Sequence, residues 1–538
     1  MAQVDPFREG LARGWKVHGG RHAGAQPLPS KVSCDVAIVG SGAGAGITAE
    51  LLARAGLDVL MIEEGPLKTS SDFRQLESEA YPQLYQESAG RKTADKAITI
   101  LQGRCVGGST TVNWTSSFRT PDDTLAFWQQ RFGLADYAPD ALSPWFLQAE
   151  RRLGIGPWLA PPNENNDLLK RGANRLGISA AAIARNVKGC WNLGSCGLGC
   201  PTNAKQSMLV TTIPAALDAG ARLFVETRAL AFERSGERID RLDCAPLGAD
   251  GEAGASFSVV AKHYVVAGGA INSPALLLRS NAPDPFKRLG ARTFLHPVVL
   301  SAAVFDQPVE GWTGAPQTIY SDHFLGVDPI DGPLGFKLEA PPIHPVIFST
   351  TIAGYGIEQS QLLQSFPNLH GLLALMRDGF HPQSQGGQVR LRGDGSALLD
   401  YPLTPVVMDA ARRALLAMAE IQFAAGARRV LTGHELARPW HSWAEAKAQI
   451  AALPMVPLKT RVVSAHVMGG CGLAGDPKQG VVRPDGRHWQ LDNLSVHDGS
   501  IFPTSIGANP QLSIYGIVNR LASGLAKGLG ATPPALAG

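Results

Sequence analysis

Unbroken apolar runs are missing from this chain. Stretches such as Tyr264–Leu278 are interrupted by Gly and Pro, well short of the roughly 20 residues a membrane-crossing helix needs. An excess of either charge is missing too. Lys and Arg number 49 against 46 Asp and Glu, leaving +3, and no basic run of the kind that tracks a phosphate backbone occurs, so nucleic acid is excluded as an expected partner. The first twenty residues lack the apolar core of a secretion signal, which makes the cytoplasm, or a peripheral position at the inner membrane, the expected location. No internal repeat or low-complexity tract is present. What the chain does have is length and apolar content: 538 residues at 44% hydrophobic can bury a large core, arranged as two domains or as one with an inserted lobe.

Glycine is placed with purpose. In CDVAIVGSGAGAG, Val36–Val39 reads as a strand, Gly40, Ser41 and Gly42 as a turn, and Thr48–Ala55 as a helix with Leu51 and Leu52 on its buried side. Gly40 permits the tight turn, Gly42 lets backbone approach a pyrophosphate, and the helix N-terminus offers free N–H groups to that anion, with Ala43 and Gly44 beside it. Ala45 takes the third glycine position of the fingerprint, which tolerates Ala. LDVLMIEEG follows as a second strand ending at Glu63 and Glu64, and Glu63 lies at the distance expected for a carboxylate that accepts a ribose hydroxyl.

Two further segments carry a family likeness. GRCVGGSTTVNW (Gly103–Trp114) and AGGAINSPALLLRS (Ala267–Ser280) resemble the two signature motifs of the glucose-methanol-choline (GMC) oxidoreductases. The resemblance implies FAD, with Arg104, Gly107, Gly108 and Ser109 along the diphosphate and Asn113 near the isoalloxazine. Cys105 and Val106 stand where Val-Leu is usual, and Asn281 replaces the usual Gly. Val112 fills the position where some members carry a flavin-linked His, so FAD is expected to be held without a covalent bond. SAHVMGGCGLAG resembles the family motif that keeps the catalytic histidine, here His466, and Asn509 falls where the family has His or Asn before Pro. Asp498 and Gly499 match the pair that closes over the ribityl chain, with Pro510 and Gln511 following Asn509. The likeness runs from about Ser33 to Leu525 and is weakest between residues 285 and 455.

The chemistry suits these residue types. Oxidising an alcohol takes a proton from the hydroxyl and a hydride from its carbon; a histidine near its ordinary pKa accepts the proton at neutral pH, and an Asn amide orients the oxygen. The expected architecture is an α/β fold: a Rossmann-like FAD domain from residues 31–125, 186–290 and 455–535, a substrate lobe on an antiparallel sheet from 126–185 and 291–454, and a surface arm over 1–30. ARLFVETRALAFER reads as one strand whose Val225 meets the adenine.

The three cysteines of GCWNLGSCGLGCPTNAK, Cys190, Cys196 and Cys200, leave three readings open: small buried thiols, a disulfide pair, or ligands of a [3Fe-4S] cluster, since the spacing resembles the iron-sulfur segment of membrane-associated sugar dehydrogenases in the superfamily. This loop, with Ala204–Ser207 and EEGPLKTSSDF, looks most like the long-chain alcohol oxidase branch, implying a primary aliphatic alcohol with O₂ or a quinone or cytochrome-type carrier as electron acceptor. HPVIFSTTIAGYG and NLHGLLALMRDGF are candidate walls of an acyl channel. A steroid or other bulky apolar alcohol, a sugar, and a non-enzymatic FAD sensor are the alternatives; an NAD-dependent dehydrogenase shares only the glycine loop.

Overall fold

The computed structural model describes residues 5–22, 24, 26–352, 354 and 356–536. Its first sheet is built around the strand Lys31–Val39, which lies parallel between Val59–Ile62 and Phe257–Val266. All four side chains of Val59–Ile62 are buried, as expected of a parallel strand covered on both faces. Arg222–Phe224 continues the sheet on one side. On the other, Leu494–Val496 pairs with Phe257–Val266 in parallel, and the antiparallel pair Thr227–Ser235 and Arg238–Pro246 closes the edge.

Residues 1–30, expected as a polar surface arm, are instead built into this domain as far as they are described. Lys16–His18 adds an edge strand parallel to Arg222–Phe224, and Phe7, Trp15 and Val17 are buried. These three apolar side chains outweigh the polar, Gly-rich composition around them.

The second sheet orders its strands Ile98–Ile100, Val462–Ser464, Val298–Val304, Leu369–Met376, Phe336–Glu339, Ile319–Ser321 and Ala181–Ala182, with Arg429–Thr432 beside Val298–Val304. It is antiparallel except where Val462–Ser464 meets Ile98–Ile100. The helix Pro405–Ala425 packs along its back. Leu369–Met376 shows the division of faces: Leu372, Ala374 and Met376 join the core beneath the helix, while Leu373 and Leu375 point the other way, to a small cluster with Val298, Trp114 and Val463, because side chains alternate along a strand.

The segment 126–185, expected wholly in the second lobe, is divided. Pro139–Arg152 packs on the C-terminal helix Gln511–Gly528, beside the first sheet, whereas Glu164–Arg175 packs on Pro405–Ala425. The cofactor-side and lobe-side halves of the molecule thus face each other across one cavity.

Candidate active site

The cavity runs from the glycine turn to His466, lined at one end by Gly40–Gly44, Glu63 and Glu64 and at the other by His466, Asn509, Trp114, Val298, Leu373 and Leu375. The helix after the turn spans Ala43–Arg54 and begins five residues earlier than its sequence suggests. Small residues explain this. A side chain at Gly44 would place its Cβ 1.7 Å from the His497 carbonyl oxygen, and one at Gly46 would come 2.4 Å from Thr212 Oγ1, so the glycines here are the price of close packing rather than of a longer turn. Gly42, at the N-cap, has no side-chain cap, leaving the first helical N–H groups toward the cavity. A Cβ there would meet only Gly108 Cα, at 3.9 Å. The open trough and uncapped helix end suit a diphosphate.

Glu63 is buried, accepting from Ser41 Oγ at 2.5 Å and from the Gly65 N–H at 2.7 Å, and burial pushes its carboxyl above the ordinary range. Glu64 is half-buried and pairs with Arg104 and Arg228, which hold its carboxyl below the ordinary range against the cost of desolvation. Arg104 therefore stands behind Glu64 instead of lining the cavity. Gly107 also lies outside the lining, its N–H donating to Ser41 Oγ at 3.0 Å, while Gly108 and Ser109 line the cavity. Val225 is fully buried and outside the lining. The single strand expected around it is two, Arg222–Phe224 and Thr227–Ser235, broken where Glu226 takes a positive φ of 49°; Thr227 and Ala229 line the cavity instead.

Asp498, Gly499, Asn509, Pro510, Gln511 and Asn113 all reach the lining. Asp498 accepts from the Gly269 N–H at 2.8 Å and from Ser273 Oγ at 2.5 Å, which ties the C-terminal segment to the second signature helix, Gly269–Arg279. Gln511 is a brace: its Oε1 accepts from Asn113 Nδ2 at 2.7 Å and Tyr515 Oη at 2.9 Å, and its Nε2 donates to the Ser116 carbonyl at 2.8 Å.

At the far end, Val462–Ser464 pairs with Val298 and then delivers His466 to the cavity. The His466 ring stacks on His296, with centroids 5.3 Å apart and the two Nδ1 atoms 3.2 Å apart. His296 is itself fixed through its backbone N–H, donated to Asp378 Oδ1 at 3.1 Å. Burial lowers the His466 pKa to about 4. Asn509 Nδ2 donates to Glu339 Oε2 at 3.2 Å; one atom of each pair, Asn509 Oδ1 and Glu339 Oε1, is left without a partner. Glu339 is fully buried, and burial raises its pKa to about 7 against the opposing pull of Lys337. His296 and Glu339 were not singled out in the sequence, where they occur as a His-Pro before the strand Val298–Val304 and a Lys-Leu-Glu in the strand Phe336–Glu339, and only the fold brings them to His466 and Asn509.

Two of the readings left open by the sequence are not met here. Cys190, Cys196 and Cys200 are free thiols and do not converge as ligands: among the described residues no group of three His, Cys, Asp or Glu side chains is placed to hold a metal. Nor does His344–Gly356 line the cavity. Pro345–Thr351 has no buried residue, and Ala353 and Tyr355 lie outside the described residues; of the second stretch, Leu373 and Leu375 do line it.

Family models described as GMC oxidoreductase match residues 81–298 and 382–517, and an uncharacterized GMC-type oxidoreductase of Mycobacterium tuberculosis is 33% identical over 90% of this chain and 75% of its own length. The chain belongs to the GMC oxidoreductase family. It is an FAD-dependent oxidoreductase. Among relatives, a long-chain-alcohol oxidase of Arabidopsis thaliana is 27% identical over 90% of this chain and 68% of its own. The GMC fold is also that of pyridoxine 4-oxidase from Mesorbium loti, with TM-score 0.67 at 21% identity over 92% of this chain and 99% of that one. Formate oxidase of Aspergillus oryzae RIB40 matches with TM-score 0.69 at 15% identity over 93% and 100%. No helix among the described residues is long and apolar enough to cross a membrane.

Proposed function

We propose that this GMC oxidoreductase oxidises a primary, long-chain aliphatic alcohol to its aldehyde, with His466 as general base, Asn509 orienting the hydroxyl and O₂ as the final acceptor. The observation that carries this reading is the composition of the reactive end: a base and an amide lie under an apolar wall of Val298, Leu373, Leu375 and Trp114. A sugar would leave its hydroxyls unpaired against such a wall, at a cost of about 1–3 kcal/mol each. An alkyl chain gains from it. Similarity to long-chain-alcohol oxidases supports the same class.

Bound FAD supplies the hydride acceptor. The glycine turn, the uncapped helix end, Glu63 and Asp498 are the groups that would hold it, and Val112, apolar and buried beside Asn113, offers no nucleophile for a covalent link. His466 Nδ1 is turned to His296, which leaves Nε2 to take the hydroxyl proton. With its pKa near 4 the imidazole is neutral and ready throughout the neutral range. Asn509, anchored through one Nδ2 hydrogen on Glu339, keeps its second Nδ2 hydrogen to donate to the substrate oxygen while His466 takes the hydroxyl proton.

A chain-length series tests the substrate class. Each buried methylene is worth about 0.8 kcal/mol, roughly a fourfold gain in kcat/KM, so activity should climb steeply from hexanol to dodecanol. A flat series, or turnover confined to sugars, rejects it.

A further inference from the structure

Directly behind the cavity wall lie two buried cations whose hydrogen-bond partners are all neutral. Arg185, 1% exposed, donates from Nε to Thr115 Oγ1 at 2.8 Å and from Nη2 to the Trp114 carbonyl at 3.0 Å. Lys205, 3% exposed, spends its three ammonium hydrogens on the carbonyls of Thr111, Asn113 and Cys196, at 2.8, 2.7 and 2.6 Å. A buried charge without an opposite charge is costly unless something anionic comes to it. The nearest anion-forming group is Cys196, whose Sγ lies 4.0 Å from Arg185 Nη2.

Donors beside this guanidinium and next to Cys196 in the chain are left unpartnered. Arg185 Nη1 is buried with no partner, and so are Ser195 Oγ and Trp158 Nε1. Ser195 is the neighbour of Cys196 in the chain, and the Trp158 ring lies over the guanidinium, 5.0 Å from its carbon. Cys196 itself is partly exposed, unlike Cys34, Cys105, Cys244 and Cys471, which are buried. Burial lowers the Arg185 pKa, with Cys196 the first of the groups that hold it up.

We infer that Cys196 is a site of reversible oxidation by hydrogen peroxide, and that Arg185 Nη1 and Ser195 Oγ are the waiting donors for the oxygen the sulfur gains. The sulfur attacks one peroxide oxygen; an S–O bond forms as the O–O bond breaks. Cys196 loses two electrons and becomes a sulfenic acid, and the departing hydroxide leaves as water with the thiol proton. A thiol then restores it through a mixed disulfide. The oxidised site is coupled to the cavity by a short path, because the ammonium that holds the Cys196 carbonyl also holds those of Thr111 and Asn113, and Asn113 lines the cavity. This assignment does not depend on which alcohol is oxidised.

The test uses flavin-loaded protein treated with hydrogen peroxide, quenched with catalase, trapped with a sulfenic-acid-specific cyclic dione and mapped by peptide mass spectrometry. Although hydrogen bonds from Thr202 and Lys205 outweigh burial and hold the Cys200 thiol below its ordinary value, Cys196 should carry the adduct at about fivefold or more the level at Cys190 and Cys200, because the unpartnered Arg185 and Ser195 donors stabilise the added oxygen there, and prior treatment with dithiothreitol should remove it. Arg185→Gln should lower the Cys196 adduct about fivefold or more, while Arg185→Lys retains part of it. Even if Arg185→Gln fails to fold, the ranking of the three thiols in the wild type decides. No adduct at Cys196, an even spread over the three, or undiminished labelling in a folded Arg185→Gln protein overturns the assignment.

Discussion

Removing the imidazole of His466 probes the chemistry with the least disturbance elsewhere. The side chain stands at the end of Val462–Ser464, stacked on His296 and facing the cavity, so His466→Ala removes atoms from a space already open to the active site and leaves the glycine turn untouched. A positioned general base is worth ~10²–10⁴ in rate, or about 2.7–5.4 kcal/mol at 1.36 kcal/mol per tenfold. Burial holds this imidazole at about 4, below its ordinary value, which makes it a weaker base and places the expected loss in the lower part of that range, about 10²–10³. His296 cannot take over. Its ring lies behind the stack, and its own pKa is pushed well below the ordinary value by burial. The assay is anaerobic single-turnover reduction of the bound flavin by dodecanol, followed by loss of its visible absorbance, with flavin content measured in parallel. A variant that keeps its flavin and reduces it within about threefold of the wild-type rate would refute the assignment of His466 as base.

Three other outcomes follow from the same geometry. Gly42→Val should fold yet purify largely colourless, because a branched side chain fills the open trough, whereas Gly44→Val should fail to fold, its Cβ lying 1.7 Å from the His497 oxygen; flavin in stoichiometric amount in Gly42→Val argues that the phosphates lie elsewhere. Acid denaturation should release all flavin to the supernatant, since Val112 offers no nucleophile, and a yellow pellet contradicts this. Glu339 beside Asn509 titrates near 7, so in a Glu339→Gln background the pH profile of kcat/KM should stay flat from about 8 to 5.5 and drop only near the His466 pKa of about 4, since the base is the neutral form; an acid limb near the ordinary histidine value, about 6.5, in that background contradicts this.

Much of the cofactor half was readable from residues, because its constraints are local. The strand before Gly40, the turn and the acid at Glu63 follow from short-range steric rules, and the apolar run Val59–Ile62 declares a covered strand. The helix start was misplaced because Ala43–Gly46 has the composition of a turn while packing against His497 and Thr212, partners hundreds of residues away in one case. The break at Val225–Glu226 was hidden for a similar reason: nothing in ARLFVETRALAFER marks a positive φ at Glu226. That His466 and Asn509 share one cavity was legible through their motif. Their supports were not, since His296 reaches them from the link just before Val298–Val304 and Glu339 from the strand Phe336–Glu339, and no spacing along the chain encodes that meeting. Of its three readings, the cysteine loop fits free thiols. Its spacing permits a cluster, but the sulfurs are distributed around Arg185 and Lys205 rather than gathered on a common centre.

The central claim is that the base, the amide and the apolar wall act together on a long-chain alcohol. Its most direct measurement is whether dodecanol, added without air, bleaches the bound flavin in a saturable reaction, with glucose and choline at equal concentration as comparisons. Dodecanol should bleach the flavin and the other two should not at a comparable rate; bleaching by glucose or choline with dodecanol inert would contradict the assignment.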